Sequence, residues 1–490
     1  MNKKTDSVAK GGTSVAIARI SGMAFSFVLF LLLARHSTDY AAIFRTTMTY
    51  IIIAEFLGMF GMHRWLATEI APENSQRWQL FLATNAFTLC VTTLMTIIYC
   101  AIAATDFYAE DFRTGIYLGA LAVIPSGIYA CVQTAFIGIG RSHLMGKLNM
   151  MENVIRCSAS IVLVLLNRPV TEIIMVFVFT RWFAALYGFV DLKNMFNQTD
   201  TKVEWQVRFA TLGQLAKHSP KFGLSMLAFL LLRNIGMLLL PAFTNAYETA
   251  LFAVCYQLFD LILVVPSVLA ITSTNQFANK ANASKAALKK ASIQLVTLSA
   301  LAIFPMIAIT AGFSHQLLVM IYGEKYFNGG WTLIILMLAA ALMIVDQVLS
   351  QVMLANKSYR QDMIAMMTGA VGTVILSLIL ISFAGAKAAG IALMLGILIT
   401  IIARLMQMNG AFSLKLLSLG AWKPTAASFL VFLLVFFGLQ QDYLSQLSHA
   451  KFLWLLLVPV AIVLYIAGLF LLGCFKKSHF FRMRLFLFHH

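Results

Sequence analysis

Apolar runs of about 20 residues follow one another along this chain, each long enough to cross about 30 Å of hydrocarbon. Between them no polar stretch is long enough for a separate domain; the longest runs from about Asp191 to Lys221. A backbone inside lipid must satisfy its own amides, so runs of this kind fold as helices. Composition agrees: 60% of the residues are hydrophobic and 11% charged, against about 25% charged in an average globular domain.

The pattern predicts an all-α polytopic membrane protein with about 14 transmembrane helices. We draw the spans near 13–34, 40–63, 79–104, 115–138, 150–168, 170–191, 221–240, 248–271, 292–313, 331–355, 363–383, 388–409, 424–439 and 452–473, with twelve as the alternative count. With the N-terminus inside, 24 Lys and Arg fall in inside segments and seven in outside ones, which orients the chain by the positive-inside rule. Both termini are then cytosolic. Most of the net charge of +17 becomes a topology signal, and no nucleic-acid partner is needed to explain it.

The two halves resemble each other. At an offset of 216 residues, Gly140-Arg141-Ser142 falls on Asn356-Lys357-Ser358 and Met150-Met151 on Met366-Met367. At an offset of 208, Gly58 falls on Pro266, which puts a helix breaker in both second helices. Six spans per repeat enter the membrane in the same sense, so we expect two six-helix bundles related by a pseudo-two-fold along the membrane normal. The expected organisation is an N-terminal lobe (1–191), a cytosolic amphipathic linker (192–220), a C-terminal lobe (221–409), two further helices (410–473) and a basic tail (474–490). In the linker, Trp205, Phe209, Leu212 and Ala216 share one helical face, as on an interfacial helix.

Charges inside the spans carry the functional signal. Arg19, Arg156, Arg181, Arg233 and Arg404 lie in them, with Glu55, Asp260 and Asp346. Eight such groups facing lipid would cost about 20 kcal/mol at roughly 2.5–3.5 kcal/mol each, more than a typical domain's whole stability. They must face protein or a wet cavity. Arg19, Arg156 and Arg404 are placed near span ends, where snorkelling or a structural ion pair competes with a lumen role. Arg181 and Arg233 are mid-span, which favours a lumen or buried-pair role. Gln257 accompanies Asp260, Gln347 and Gln351 accompany Asp346, and Gln133 lies one turn from Tyr129, giving polar stripes. Interhelical hydrogen bonding is the alternative use of such stripes.

Catalytic signatures are missing: there is no GxxxxGK[ST], no HExxH and no GxSxG. The six cysteines sit in or beside apolar segments without a CxxC pair and read as packing residues. The first apolar segment carries Arg19 and lacks a small-residue cleavage site, so a cleavable signal is not expected. A transporter, with no metal and no cofactor beyond a coupling H⁺ or Na⁺, fits better than an enzyme.

Four stretches carry a resemblance: Leu31 to Ala71, Phe259 to Lys280, Met320 to Leu342 and Gln351 to Leu380. They resemble helices 1–2, 8, 10 and 11 of Wzx-type polysaccharide flippases, in the multidrug/oligosaccharidyl-lipid/polysaccharide (MOP) exporter superfamily. Ala41 stands where that pattern often has Gly. The resemblance implies two bundles around a cationic cavity. It also implies an undecaprenyl-pyrophosphate-linked glycan as substrate, for O-antigen, capsule or exopolysaccharide, in the bacterial inner membrane. A pathway polymerase and chain-length regulator are possible partners, and a monomer is expected. Arg233, Arg181 and Arg19 would contact pyrophosphate or glycan, with Arg35, Arg45 and Arg64 near the cavity mouths. Glu55, Asp260 and Asp346 would pair with arginines or carry the coupling ion. The competing readings are an ion-coupled small-molecule exporter of the same superfamily and a membrane glycan polymerase or ligase. The exporter would want an acidic site, and five arginines against three acids speak against it.

Overall fold

The computed structural model describes residues 21–62, 66–67, 69–70, 77–198, 209–283, 285–408, 414–438 and 457–471. Every predicted span finds a helix there. The first twelve elements are α1 (Ser21–His36), α2 (Thr38–Gly58), α3 (Arg77–Ala104), α4 (Glu110–Gly138), α5 (Ser142–Leu165), α6 (Val170–Gln198), α7 (Phe209–Phe243), α8 (Ala246–Ala283), α9 (Lys285–Gly312), α10 (Gly330–Ala355), α11 (359–384) and α12 (386–407). They are followed by α13 (Leu414–Gly438) and α14 (Leu457–Leu471). Gly385, at φ +51°, breaks what would otherwise be one 49-residue helix into α11 and α12. A short helix, Ser314–Tyr322, and a 3-10 turn, Glu324–Gly329, join α9 to α10. There is no strand among the described residues.

Helix starts differ from expectation where polar residues dilute the hydropathy. α5 begins at Ser142, eight residues before the predicted span, because Ser142, His143, Lys147 and Asn149 lower the local average. α7 begins at Phe209, so the later part of the expected amphipathic linker is continuous with that helix. α2 stops at Gly58, after which Phe60 and Gly61 turn at φ +41° and +80°; α8 runs on through Pro266. The paired breakers thus end one helix and not the other.

The chain divides into two compact units, 1–253 and 254–490. In the first, α4 is central and packs on α2, α3 and α6. Lipid is as apolar as leucine, so close backbone approach has to drive such packing. Gly115 and Gly119, one turn apart on α4, provide it: a Cβ on either would stand 2.7 Å from the Thr47 side chain of α2. Trp78 at the start of α3 is buried against Phe81, Phe189 and Phe196, tying α3 to the end of α6. α7 packs on α2 and α3. Near Pro241, the Tyr108 hydroxyl donates to the Leu238 carbonyl at 2.8 Å and meets Tyr50 Oη, also at 2.8 Å.

In the second unit α10 packs on α9 and on the α11–α12 pair, and α13 packs on α9. α11 and α12 interlock by reciprocal Gly-xxx-Thr pairs. A Cβ on Gly369 would strike Thr400, and one on Gly396 would strike Thr373. Each threonine hydroxyl donates back along its own helix, Thr373 to Gly369 O (2.8 Å) and Thr400 to Gly396 O (2.9 Å).

The turns after α4 and α10 share one hydrogen-bond pattern, a helix C-cap that also follows α5 at Leu166, Asn167 and Arg168. After α4, the N–H groups of Ile139, Gly140 and Arg141 donate to Ala135, Ile137 and Phe136; Gly140 is at φ +73°. After α10, Asn356, Lys357 and Ser358 donate to Val352, Leu354 and Met353; Lys357 is at φ +59°. The matching positions put Gly140 on Lys357, not on Asn356. In this register Tyr129 corresponds to Asp346 and Glu152 to Gly369.

Candidate functional site

Helical spacing builds the site. On α5, Asn149, Glu152, Asn153 and Arg156 fall at i, i+3, i+4 and i+7, so they share one face. That face meets Tyr129 and Gln133 of α4, Glu55 of α2 and Arg181 of α6. Arg181 is the centre. Its Nε lies 3.3 Å from Glu152 Oε1, its Nη2 3.4 Å from Glu55 Oε2. The guanidinium also lies over two rings, Tyr129 at 4.6 Å and Phe177 at 5.0 Å, a desolvated cation–π arrangement. Arg156 shares the Phe177 ring at 5.1 Å and donates to Asn153 Oδ1 (2.6 Å) and to Ser26 Oγ of α1 (3.1 Å). Asn149 Oδ1 accepts from both Tyr129 Oη and Gln133 Nε2, at 2.5 and 2.6 Å. Gly22 of α1 admits Asn153, whose amide would stand 2.7 Å from a Cβ there.

Two arginines and two glutamates make this network formally neutral. Burial grades it. The side chain of Glu152 is 3% exposed and that of Arg181 8%, whereas Glu55 is 26% exposed. The network is sealed on the Glu152 side and open on the Glu55 side.

The second unit has its own cluster. Arg404 of α12 is fully buried and donates Nε to Asp362 of α11 at 2.9 Å. Its Nη1 donates to the Asp346 carboxylate and, at 2.9 Å, to the Asp346 carbonyl of α10. Ser350 Oγ donates to Asp362 at 3.4 Å. Arg404 is therefore an interior ion-pair residue, and snorkelling does not describe it. Arg156 is not shallow either, since it is the fifteenth residue of α5.

Among the described residues, the remaining sequence-derived positions lie on α1, α2, α7, α8 and α10. Arg233 lies over the Phe229 ring of α7 at 5.6 Å. Arg35 is exposed at the end of α1, and Arg45 is half-buried in α2. Gln257 is buried and Asp260 half-buried on α8, as are Gln347 and Gln351 on α10. Arg19 and Arg64 lie outside the described residues. Two participants escaped the sequence reading, Glu152 and Asp362. With them, the two clusters hold three arginines (Arg156, Arg181 and Arg404) against four acids (Glu55, Glu152, Asp346 and Asp362), and the cationic excess used against a small-molecule exporter is not seen there. The spacing of Asn149, Glu152, Asn153 and Arg156 was the available signal for the first; nothing local marks the second. No His, Cys, Asp and Glu grouping among the described residues could hold a metal ion.

A sequence profile described as polysaccharide biosynthesis protein matches residues 32–329. The chain belongs to that family. Among solved structures, this polysaccharide biosynthesis protein superposes on the lipid II flippase MurJ in an inward closed conformation (TM-score 0.74, 11% identity, 96% of this chain and 99% of that one). It also superposes on an inward-facing multidrug resistance MATE transporter of the MOP superfamily (TM-score 0.61, 13% identity, 81% and 97%). A third is a MOP superfamily transporter from Pyrococcus furiosus, described by the reverse polarity of its binding pocket (TM-score 0.56, 14% identity, 84% and 96%). At these identities the likeness is one of fold, and the fold is that of MOP transporters. No curated protein sequence matches the chain.

Proposed function

We propose that this family member is a flippase, with no catalytic role. It moves undecaprenyl-pyrophosphate-linked oligosaccharide units from the cytosolic to the periplasmic leaflet of the inner membrane, for O-antigen, capsule or exopolysaccharide synthesis. The observation that carries the reading is the Arg181 guanidinium, buried in a helical bundle yet reached from the surface through Glu55. A diphosphate leaving water needs a forked, permanently charged donor, and arginine supplies one.

Arg181 is held by two carboxylates of unequal exposure. A proton or Na⁺ on Glu55 would remove one of them and leave that edge of the guanidinium to an incoming anion. Glu152 would keep the other edge in place. Anion binding and cation binding then assist each other through one side chain, which is a coupling device. Arg233, Arg19, Arg35, Arg45 and Arg64 would make further contacts along the path, with Asp260 as a second ion-pairing group. Alternating access would be rocking of the six-helix repeats 1–191 and 221–409, both termini staying cytosolic and the chain acting as a monomer. A polymerase and chain-length regulator would receive the product.

The small-molecule exporter stays as the second reading, because the two clusters of the described helices show no cationic excess to oppose it. Purified protein in liposomes distinguishes them. Translocation of a lipid-linked oligosaccharide supports the flippase. Wild-type translocation in an Arg233→Ala, Arg181→Ala double variant at equal incorporation defeats the site assignment. Transport of organic cations without lipid-linked sugar favours the exporter.

A further inference from the structure

At one end of the first unit, α5 and α6 leave a cleft between them. It is lined by Leu144, Lys147, Leu148 and Met151 of α5, Tyr187, Gly188 and Asp191 of α6, and Phe136 of α4. Gly188 lets α6 pack closely on α5 and α4 beside the cleft, since a Cβ there would stand 2.8 Å from Leu148 and 2.9 Å from Val132. The cleft holds two opposite charges that do not meet. Lys147 and Asp191 both line it, and among the described residues neither has an ion-pair partner.

Depth fits a headgroup. Lys147 is the sixth residue of α5 and Asp191 the eighth from the end of α6, about two turns from the helix ends. Further along the same helices the outward side chains turn apolar: Met150 and Val154 on α5, Phe183 and Leu186 on α6, all exposed. Acyl chains would lie there, with a polar group one turn away at the cleft. Arg141 and Lys147 mark this end as the cytosolic one by the positive-inside rule.

We propose that the cleft is a binding site for a zwitterionic aminophospholipid of the cytosolic leaflet. The lipid phosphate meets the Lys147 ammonium, and its primary ammonium, two carbons away, meets Asp191. An anionic headgroup would satisfy Lys147 but face Asp191 with like charge. A choline headgroup would bring the charges but no N–H donor for Asp191.

The test is native mass spectrometry of the delipidated full chain, titrated with dioctanoyl phosphatidylethanolamine, phosphatidylcholine, phosphatidylglycerol and, separately, undecaprenyl phosphate. The ethanolamine lipid should bind about tenfold more tightly than the choline or glycerol lipid, the margin of one charge-assisted hydrogen bond. Lys147→Gln should cost about tenfold with the ethanolamine lipid. Asp191→Asn should erase the preference over phosphatidylglycerol. Met151→Trp should close the cleft with both charges in place. Equal affinities in wild type and both charge variants overturn the proposal. So does tighter binding of undecaprenyl phosphate that Lys147→Gln abolishes, which would give the cleft to the transported lipid. Both charge variants alter side chains that make no ion pair, so their folding, checked by monodispersity, keeps the test decisive if Met151→Trp fails to fold.

Discussion

Arg181 and Glu152 face each other 3.3 Å apart between α6 and α5, almost wholly out of contact with solvent, while the second carboxylate on Arg181, Glu55, stays partly open. The three groups cannot contribute equally. Removing one partner of a buried pair costs about 3–5 kcal/mol, because the other charge is left unsolvated. An exposed pair is worth about 1 kcal/mol or less. Glu152→Ala should therefore destabilise the detergent-solubilised protein far more than Glu55→Gln, measured as unfolding midpoints in a denaturant titration. Equal losses would contradict this reading of the network.

Arg404 gives a sharper test of the same physics. Arg404→Met leaves Asp346 and Asp362 buried together and should cost about 3–5 kcal/mol. The triple variant Arg404→Met, Asp346→Asn, Asp362→Asn removes every charge and should recover part of that loss. A triple variant no more stable than Arg404→Met would show that the cluster is held by something other than charge balance.

The α11–α12 interlock depends on two missing methyl groups. Gly369→Ala and Gly396→Ala each push a Cβ into a threonine that is already hydrogen-bonded along its own helix. Each should cost about 1–3 kcal/mol, the usual range for overpacking. Thr400→Ala opens the space opposite Gly369, so the pair Gly369→Ala, Thr400→Ala should be milder than Gly369→Ala alone. Additive losses across that pair would refute direct contact.

Lys357 pays a backbone cost that its counterpart Gly140 avoids, since left-handed dihedrals disfavour a Cβ by about 1–2 kcal/mol. Lys357→Gly should raise stability by up to about 1 kcal/mol. Gly140→Ala should lower it by a similar amount, and strain alone is responsible because a Cβ at 140 meets nothing within 4 Å. Both effects are readable as shifts of thermal midpoint.

The helices were legible because lipid demands a long apolar run for each crossing; among the described residues ten are long and apolar enough to cross, and α1, α13 and α14 carry shorter apolar stretches. Helix starts were less legible. The polar residues 142–149 hid the first two turns of α5, and with them the depth of Glu152 and Arg156. Arg181 was recognisable as a mid-span charge with no route to water. Its partners come from α2 and α5, more than 25 residues away in sequence, and only tertiary packing brings them to it. The same holds for Arg404, whose partners lie 42 and 58 residues earlier. Asp346 stood out as an acid within a span, but no local pattern pointed from it to Arg404.

The central claim is that Arg181 offers its charge to the lipid-linked anion. The direct measurement is translocation of undecaprenyl-pyrophosphate-linked oligosaccharide in proteoliposomes by an Arg181→Gln, Glu152→Gln variant, which removes the arginine while keeping the buried charge balanced. With folding verified by monodispersity and unfolding midpoint, the flux should fall at least about tenfold, the loss of one or more charge-assisted hydrogen bonds to the diphosphate. A folded variant that translocates at the wild-type rate would contradict the account.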